Sequence, residues 1–179
     1  MKKHLFFLPV LILQSCISII GLTDDYKKTT NEEKAIIHTF EENSVLENGN
    51  IYKVNAEQLK REFSKHDKSL VYCFTNGCSS DACLPIKHYM DYAQENGYKL
   101  FLVMTGFGNM NETIIQGAEI PYFVIDSKFY GSKYQWIYTR KFENDLQSLN
   151  LNHKDKEHKG SLFFFTGNKL EKIEFKLPK

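Results

Sequence analysis

Leu70-Val71-Tyr72-Cys73-Phe74-Thr75-Asn76-Gly77-Cys78-Ser79-Ser80-Asp81-Ala82-Cys83-Leu84-Pro85 is the stretch whose reading decides the fold. Residues 70–74 are apolar or aromatic without a break, which predicts a strand over 69–75 that is covered on both faces. Asn76-Gly77 supplies a turn. Two cysteines follow. Residues 84–96 then carry Ile86, Met90 and Ala93 at helical spacing, with Tyr89 on a neighbouring line and Gly97 as a stop. A strand that delivers a cysteine to the start of a helix sets sulfur near unpaired N–H groups and a positive dipole end, and both stabilise a thiolate.

On either side of this stretch the pattern alternates. Residues 50–54 read as a short strand. Residues 55–63 read as a helix with Asn55 as N-cap and Leu59 and Phe63 on one face. Residues 98–105 and 122–126 read as two more buried strands, with a short helix over 111–117, capped by Asn111, between them. Residues 134–149 read as a helix anchored by Trp136, Ile137, Phe142, Leu146 and Leu149. A charged loop over 150–160 leads to a hairpin of 161–166 and 170–175 across Gly167-Asn168. Strands alternating with helices predict an α/β fold: a mostly parallel sheet, helices on both faces, and antiparallel strands added by the hairpin. The 69–75 strand belongs near its centre.

The N-terminus reads as an export signal. Lys2 and Lys3 precede an apolar run from Leu5 to Leu13 that is too short to span a bilayer comfortably. Leu13-Gln14-Ser15-Cys16 resembles the bacterial lipoprotein signal, in which the chain is cut before the cysteine and lipid is attached to its sulfur. Gln14 stands where that signal has a small residue. The resemblance implies a signal peptide over 1–15, lipidation of Cys16 and an extracytoplasmic, membrane-anchored location, on the periplasmic or surface side. The alternative is a plain secretory signal with Cys16 incidental. Residues 16–49 then serve as lipid anchor and tether, and 50–179 as the domain. An oxidising compartment permits a Cys78–Cys83 disulfide and leaves Cys73 as a core thiol.

The chain of 179 residues carries 23 Lys+Arg against 22 Asp+Glu. This balance gives no support for nucleic-acid binding. Aromatic residues reach 14%, which suits a packed sheet. No Gly-rich phosphate loop and no dinucleotide fingerprint are present, so no cofactor is expected. His153 and His158 match no compact metal-ligand spacing with Cys78 and Cys83, and no metal is expected. His88 reads as a solvent-facing helix residue.

Over residues 51–175 the chain resembles the thioredoxin-like superfamily, in particular its membrane-tethered bacterial branch. Residues 70–75 with Cys78 and Cys83 look like the first core strand and active-site turn. Residues 122–126 look like the branch's added strand, and 162–173 like the closing hairpin. The departures are specific. Four residues separate the cysteines where the family has two. Asn76-Gly77 replaces the Trp that often precedes the first cysteine. Gly160-Ser161 stands where the family places a cis-proline, Pro121 being the rival position if the hairpin is read over 122–133, and the family's final helix is not evident before Lys179.

Geometry constrains the pair. Residues five apart in one α-helix lie about 8–9 Å apart, given a rise of about 1.5 Å per residue. A disulfide needs about 4.4–6.8 Å between Cα atoms. Cys78 therefore belongs in the loop, with Cys83 in or near the first helical turn. The resemblance implies thiol–disulfide exchange with protein thiols or disulfides of the cell envelope. Cys78 would attack, Cys83 would resolve, and a partner thiol protein would supply electrons. The alternative is a binding or scaffold lipoprotein in which the pair is a structural staple.

Overall fold

The computed structural model describes residues 20–42, 44–78, 83–154 and 159–178. A 3-10 turn (Tyr26–Lys28) opens the chain. It is followed by α1 (Asn31–Ala35), β1 (Ile37–Thr39), β2 (Ile51–Val54), α2 (Ala56–Phe63) and β3 (Lys68–Phe74). Then come α3 (Ile86–Glu95), β4 (Lys99–Met104), α4 (Met110–Ile114), β5 (Tyr122–Ile125), α5 (Gln135–Leu146) and the hairpin β6 (Leu162–Thr166) and β7 (Lys169–Glu174).

The seven strands form one mixed sheet in the order β1-β2-β5-β4-β3-β6-β7. The first five positions are parallel neighbours, and β6 and β7 run antiparallel. β3 pairs with β4 on one side and with β6 on the other, which explains its unbroken apolar run. Successive side chains alternate between the faces. Val71, Cys73, Phe163 and Phe165 join a core with Leu59 and Phe63 of α2 and with Tyr138, Phe142 and Leu146 of α5. Leu70, Leu102, Val124 and Phe164 join the other core, with Ile86, Tyr89 and Ala93 of α3 and Met110 of α4. The fold is therefore α/β with helices on both faces.

Local chemistry explains the boundaries. Asn55 caps α2 in a capping box: its side chain accepts from Gln58 N at 2.8 Å, and the Gln58 side chain accepts from Asn55 N at 3.0 Å. At α4 the expectation is corrected, because the helix starts one residue before Asn111, and Asn109, in the left-handed region at φ 54°, takes the N-cap position. Two expected anchors of α5 are corrected as well. Trp136 is 63% exposed and Leu149 is also exposed, whereas Tyr138, Phe142 and Leu146 carry the packing. Phe74 is only half-buried, because β3 ends there.

The largest correction concerns the tether expected over 16–49. Within it, the described residues pack on the domain. β1 extends the sheet beside β2, Phe40 is buried at 3% exposure, and α1 carries its own capping box on Thr30 and Glu33. Polar composition concealed this, because a short edge strand needs few apolar residues once β2 supplies its hydrogen bonds. The signal peptide and Cys16 lie outside the described residues. No described helix is long and apolar enough to cross a membrane.

Candidate functional site at the carboxyl ends of the parallel strands

Parallel strands place their outgoing loops at one end of the sheet, and α/β proteins bind ligands there. In this chain that end gathers the β3–α3, β4–α4 and β5–α5 loops. Buried polar contacts bind them together. Asn76, which is buried, donates through Nδ2 to the Gly106 carbonyl at 2.8 Å and accepts from Thr113 Oγ1 at 2.6 Å. The Thr75 and Thr105 hydroxyls meet at 3.1 Å, and Tyr138 OH donates to the Thr105 carbonyl at 2.6 Å. Gly77 follows at φ +68°, where a Cβ would stand 2.9 Å from both Asn109 Nδ2 and Glu112 Oε2. The positive φ favours glycine here, and a larger residue would also have to push these two side-chain ends aside.

This frame presents Cys78. Cys78 and Cys83 form a disulfide with a Cα–Cα separation of 6.0 Å. Cys78 is exposed and Cys83 half-buried. Ser79, Ser80, Asp81 and Ala82 lie outside the described residues. Cys83 is not in the first helical turn. α3 begins at Ile86 with Pro85 at its N-cap position, because the preceding residues of Pro are pushed out of the helical region. The Ile86 N–H is met by Gln116 Oε1 at 2.9 Å. The helix dipole acts mainly within its first turn, so its effect on either sulfur is weak. Cys73 is the free cysteine among the described residues, buried on the opposite face of β3 from α3. Burial, and after it the neighbouring Glu143 carboxylate, push its thiol well above the usual value. That environment makes Cys73 an inert core thiol.

One cleft opens at the same end, and a second runs along α5. The connection leaving β4 crosses the α3–α4 face, whereas the one leaving β5 crosses the α2–α5 face. The crevice between their ends is the topological switch point of the sheet. The chain's own N-terminal segment fills it. Phe107 N donates to the Asp24 carbonyl at 2.7 Å, Ser127 Oγ to Asp24 Oδ2 at 2.6 Å, and Gln135 N to the Leu22 carbonyl at 3.0 Å. Asp25 is buried and accepts from Gly21 N at 2.8 Å, with Lys28 Nζ at 2.7 Å. Burial opposes its ionisation, but the Gly21 N–H, Lys28 and Thr23 outweigh burial and hold its carboxyl below the usual 3.8. Beside this plug lies a cleft of about 650 Å³ with Lys27, Lys128 and Lys133 on its walls, within the range of about 300–1,000 Å³ usual for ligand sites.

A second cleft of about 350 Å³ runs between α5 and the hairpin, lined by Trp136, Arg140, Glu143, Gly160 and Phe163. Burial raises the Glu143 carboxyl from 4.5 to about 7. Arg140 lies under the Trp136 ring at 5.4 Å. Gly160 packs where a Cβ would collide with the Glu174 backbone of β7. Sequence reading missed Glu143 and the N-terminal plug. Glu143 follows the buried Phe142 on a helix, a place where a carboxylate is unusual, and that was the available signal. Nothing in the composition of residues 20–25 marks them as a plug.

No protein-family model, curated protein or solved structure matches this chain. Among the described residues no group of three or more His, Cys, Asp and Glu is arranged to hold a metal ion. His88 lies exposed on α3, and His153 accompanies no cysteine in a ligand set, while His158 lies outside the described residues.

Proposed function

We propose that this protein is a lipid-anchored, extracytoplasmic thiol-disulfide oxidoreductase of thioredoxin-like architecture, acting on protein thiols or disulfides of the cell envelope. The observation that carries the reading is the Cys78–Cys83 disulfide itself. It lies past the carboxyl end of β3, an interior strand of the sheet, and Cys78 is exposed. In the reducing direction, the Cys78 thiolate attacks a substrate disulfide and releases one substrate thiolate. The Cys83 thiolate then attacks the Cys78 sulfur and releases the second. Two electrons pass to the substrate, the pair ends as the disulfide, and a donor dithiol re-reduces it. Cys78 and Cys83 are the reacting residues, and no cofactor enters the step.

A second reading is a binding or scaffold lipoprotein with a structural disulfide. The start of α3 at Ile86 favours it, because the helix end that would lower a thiol pKa lies three residues beyond Cys83. The reduction potential separates the two. A value between about −270 and −120 mV, with fast labelling of reduced Cys78 at neutral pH, supports exchange chemistry. A value below about −300 mV makes the pair a staple and hands the function to the second reading.

A further inference from the structure

We propose that the carboxyl end of the sheet docks on an anionic membrane surface, seated there by the Lys27, Lys128 and Lys133 face and the apolar side chains around it. This rests on the lipid-anchor part of the reading above and not on its redox part.

Three observations point to a bilayer. The first is charge. Lys27, Lys128 and Lys133 are exposed on one cleft and make no ion pair among the described residues. The two aspartates of that cleft are turned inward: Asp24 onto Ser127, and Asp25 onto Gly21 N and Lys28. The outer charge is therefore positive although the whole chain is nearly neutral. Each lysine near an anionic leaflet raises partitioning about fivefold.

The second is the apolar rim. Ile20 and Leu22 of the N-terminal segment are exposed, as are Phe129 and Tyr134 of the β5–α5 loop and Trp136 in the first turn of α5. The Gln135 N–H donates to the Leu22 carbonyl, which sets Leu22 beside the start of α5, where Tyr134 and Trp136 stand. Aromatic rings and lysines with aliphatic stems suit the headgroup layer, where one end of each side chain is wet and the other apolar.

The third is the length of the leash. Gly21 is fixed to Asp25, and Cys16 precedes it by five positions. At about 3.3–3.6 Å per residue this spans no more than about 18 Å. A lipid on Cys16 thus keeps this end of the sheet within about 18 Å of the headgroups, close enough for the lysines to seat it there. The tether expected from sequence would have let the domain swing freely. Cys78 belongs to the same end, so its partners are membrane-proximal protein thiols.

Trp136 is the single tryptophan, which makes the test direct. The full chain is produced in bacteria, reconstituted into phosphatidylglycerol-containing vesicles with brominated acyl chains, and its fluorescence followed, with mass spectrometry of Cys16 in parallel. The expected result is quenching of Trp136 that is lost in phosphatidylcholine vesicles, in the Lys27→Gln/Lys128→Gln/Lys133→Gln variant, and at about 0.5 M salt, where the Debye length is about 4 Å. All three lysines are exposed, and circular dichroism confirms that the variant folds. Acylated Cys16 with unquenched Trp136 overturns the docking and leaves the anchor intact. Unmodified Cys16 with quenched Trp136 removes the anchor and upholds the docking. Equal quenching of wild type and triple variant overturns the proposal, as does its loss on adding inorganic phosphate at constant ionic strength, which would assign the cleft to a free anion.

Discussion

Replacing Glu143 by glutamine should stabilise the protein at alkaline pH and leave it unchanged in acid. Glu143 lies on α5 between the buried Phe142 and Asn144, within electrostatic reach of Cys73. Burial lifts its carboxyl from 4.5 to about 7. The folded state therefore binds a proton that the unfolded state releases between those values. Stability is full below pH 4.5 and falls as pH rises toward 7, since unfolding is favoured wherever the unfolded chain holds fewer protons. At about 1.4 kcal/mol per pH unit the loss has a ceiling of about 3 kcal/mol. The cleft admits water, which brings the expected value to about 1–3 kcal/mol. Glutamine keeps the shape and discards the charge. Urea unfolding of both proteins at pH 4 and pH 8 gives the difference directly, and other titrating groups cancel in it. Wild type and variant should agree within about 0.5 kcal/mol in acid, and the variant should be about 1–3 kcal/mol more stable at pH 8. A difference that does not change with pH would refute the assignment of a buried, proton-retaining carboxyl.

Asp25→Asn should act in the opposite sense. The carboxyl is held below 3.8, so its stabilisation is present above that value and lost as pH falls through the folded pKa. The variant should lose about 1–3 kcal/mol at pH 7, and the deficit should shrink as pH falls below 3.8, read by the same urea titration. Phe40→Ala should cost about 3–5 kcal/mol, because the ring is buried in the core beside β2; a neutral substitution would mean that residues 37–40 do not pack as described. Gly77→Ala should destabilise by more than about 1 kcal/mol through its positive φ and the contact with Asn109 and Glu112. It should also change the rate at which a small thiol reduces the Cys78–Cys83 bond, and an unaltered rate would uncouple that turn from the disulfide.

Much of this fold was legible without coordinates because its signals are local. The unbroken apolar run of Leu70 to Phe74 marks a strand with neighbours on both sides, and the Asn55–Gln58 box marks the start of α2. Gly167-Asn168 marks the hairpin turn between β6 and β7. The two cysteines five apart already excluded a shared helix, and the 6.0 Å separation meets that condition. What sequence reading mistook depends on distant partners. Residues 20–25 look like linker, yet they complete the crevice between β4 and β5 through Phe107, Ser127 and Gln135. Trp136 looks like a core anchor, but the register of α5 turns Tyr138 and Phe142 inward and leaves the indole in solvent.

From residue 50 onward the sequence by itself determined the order of strands and helices and the place of the cysteine pair in that order, because periodicity, caps and turn residues act over a few positions; α1 and β1, within the expected tether, it did not mark. Only the tertiary structure decided that β5 inserts between β2 and β4, that the N-terminal segment occupies the switch point, and that Glu143 keeps its proton near neutrality. Those outcomes arise from desolvation and hydrogen bonds between residues up to about a hundred positions apart, as in the contact of Asp24 with Ser127, and no local pattern encodes them.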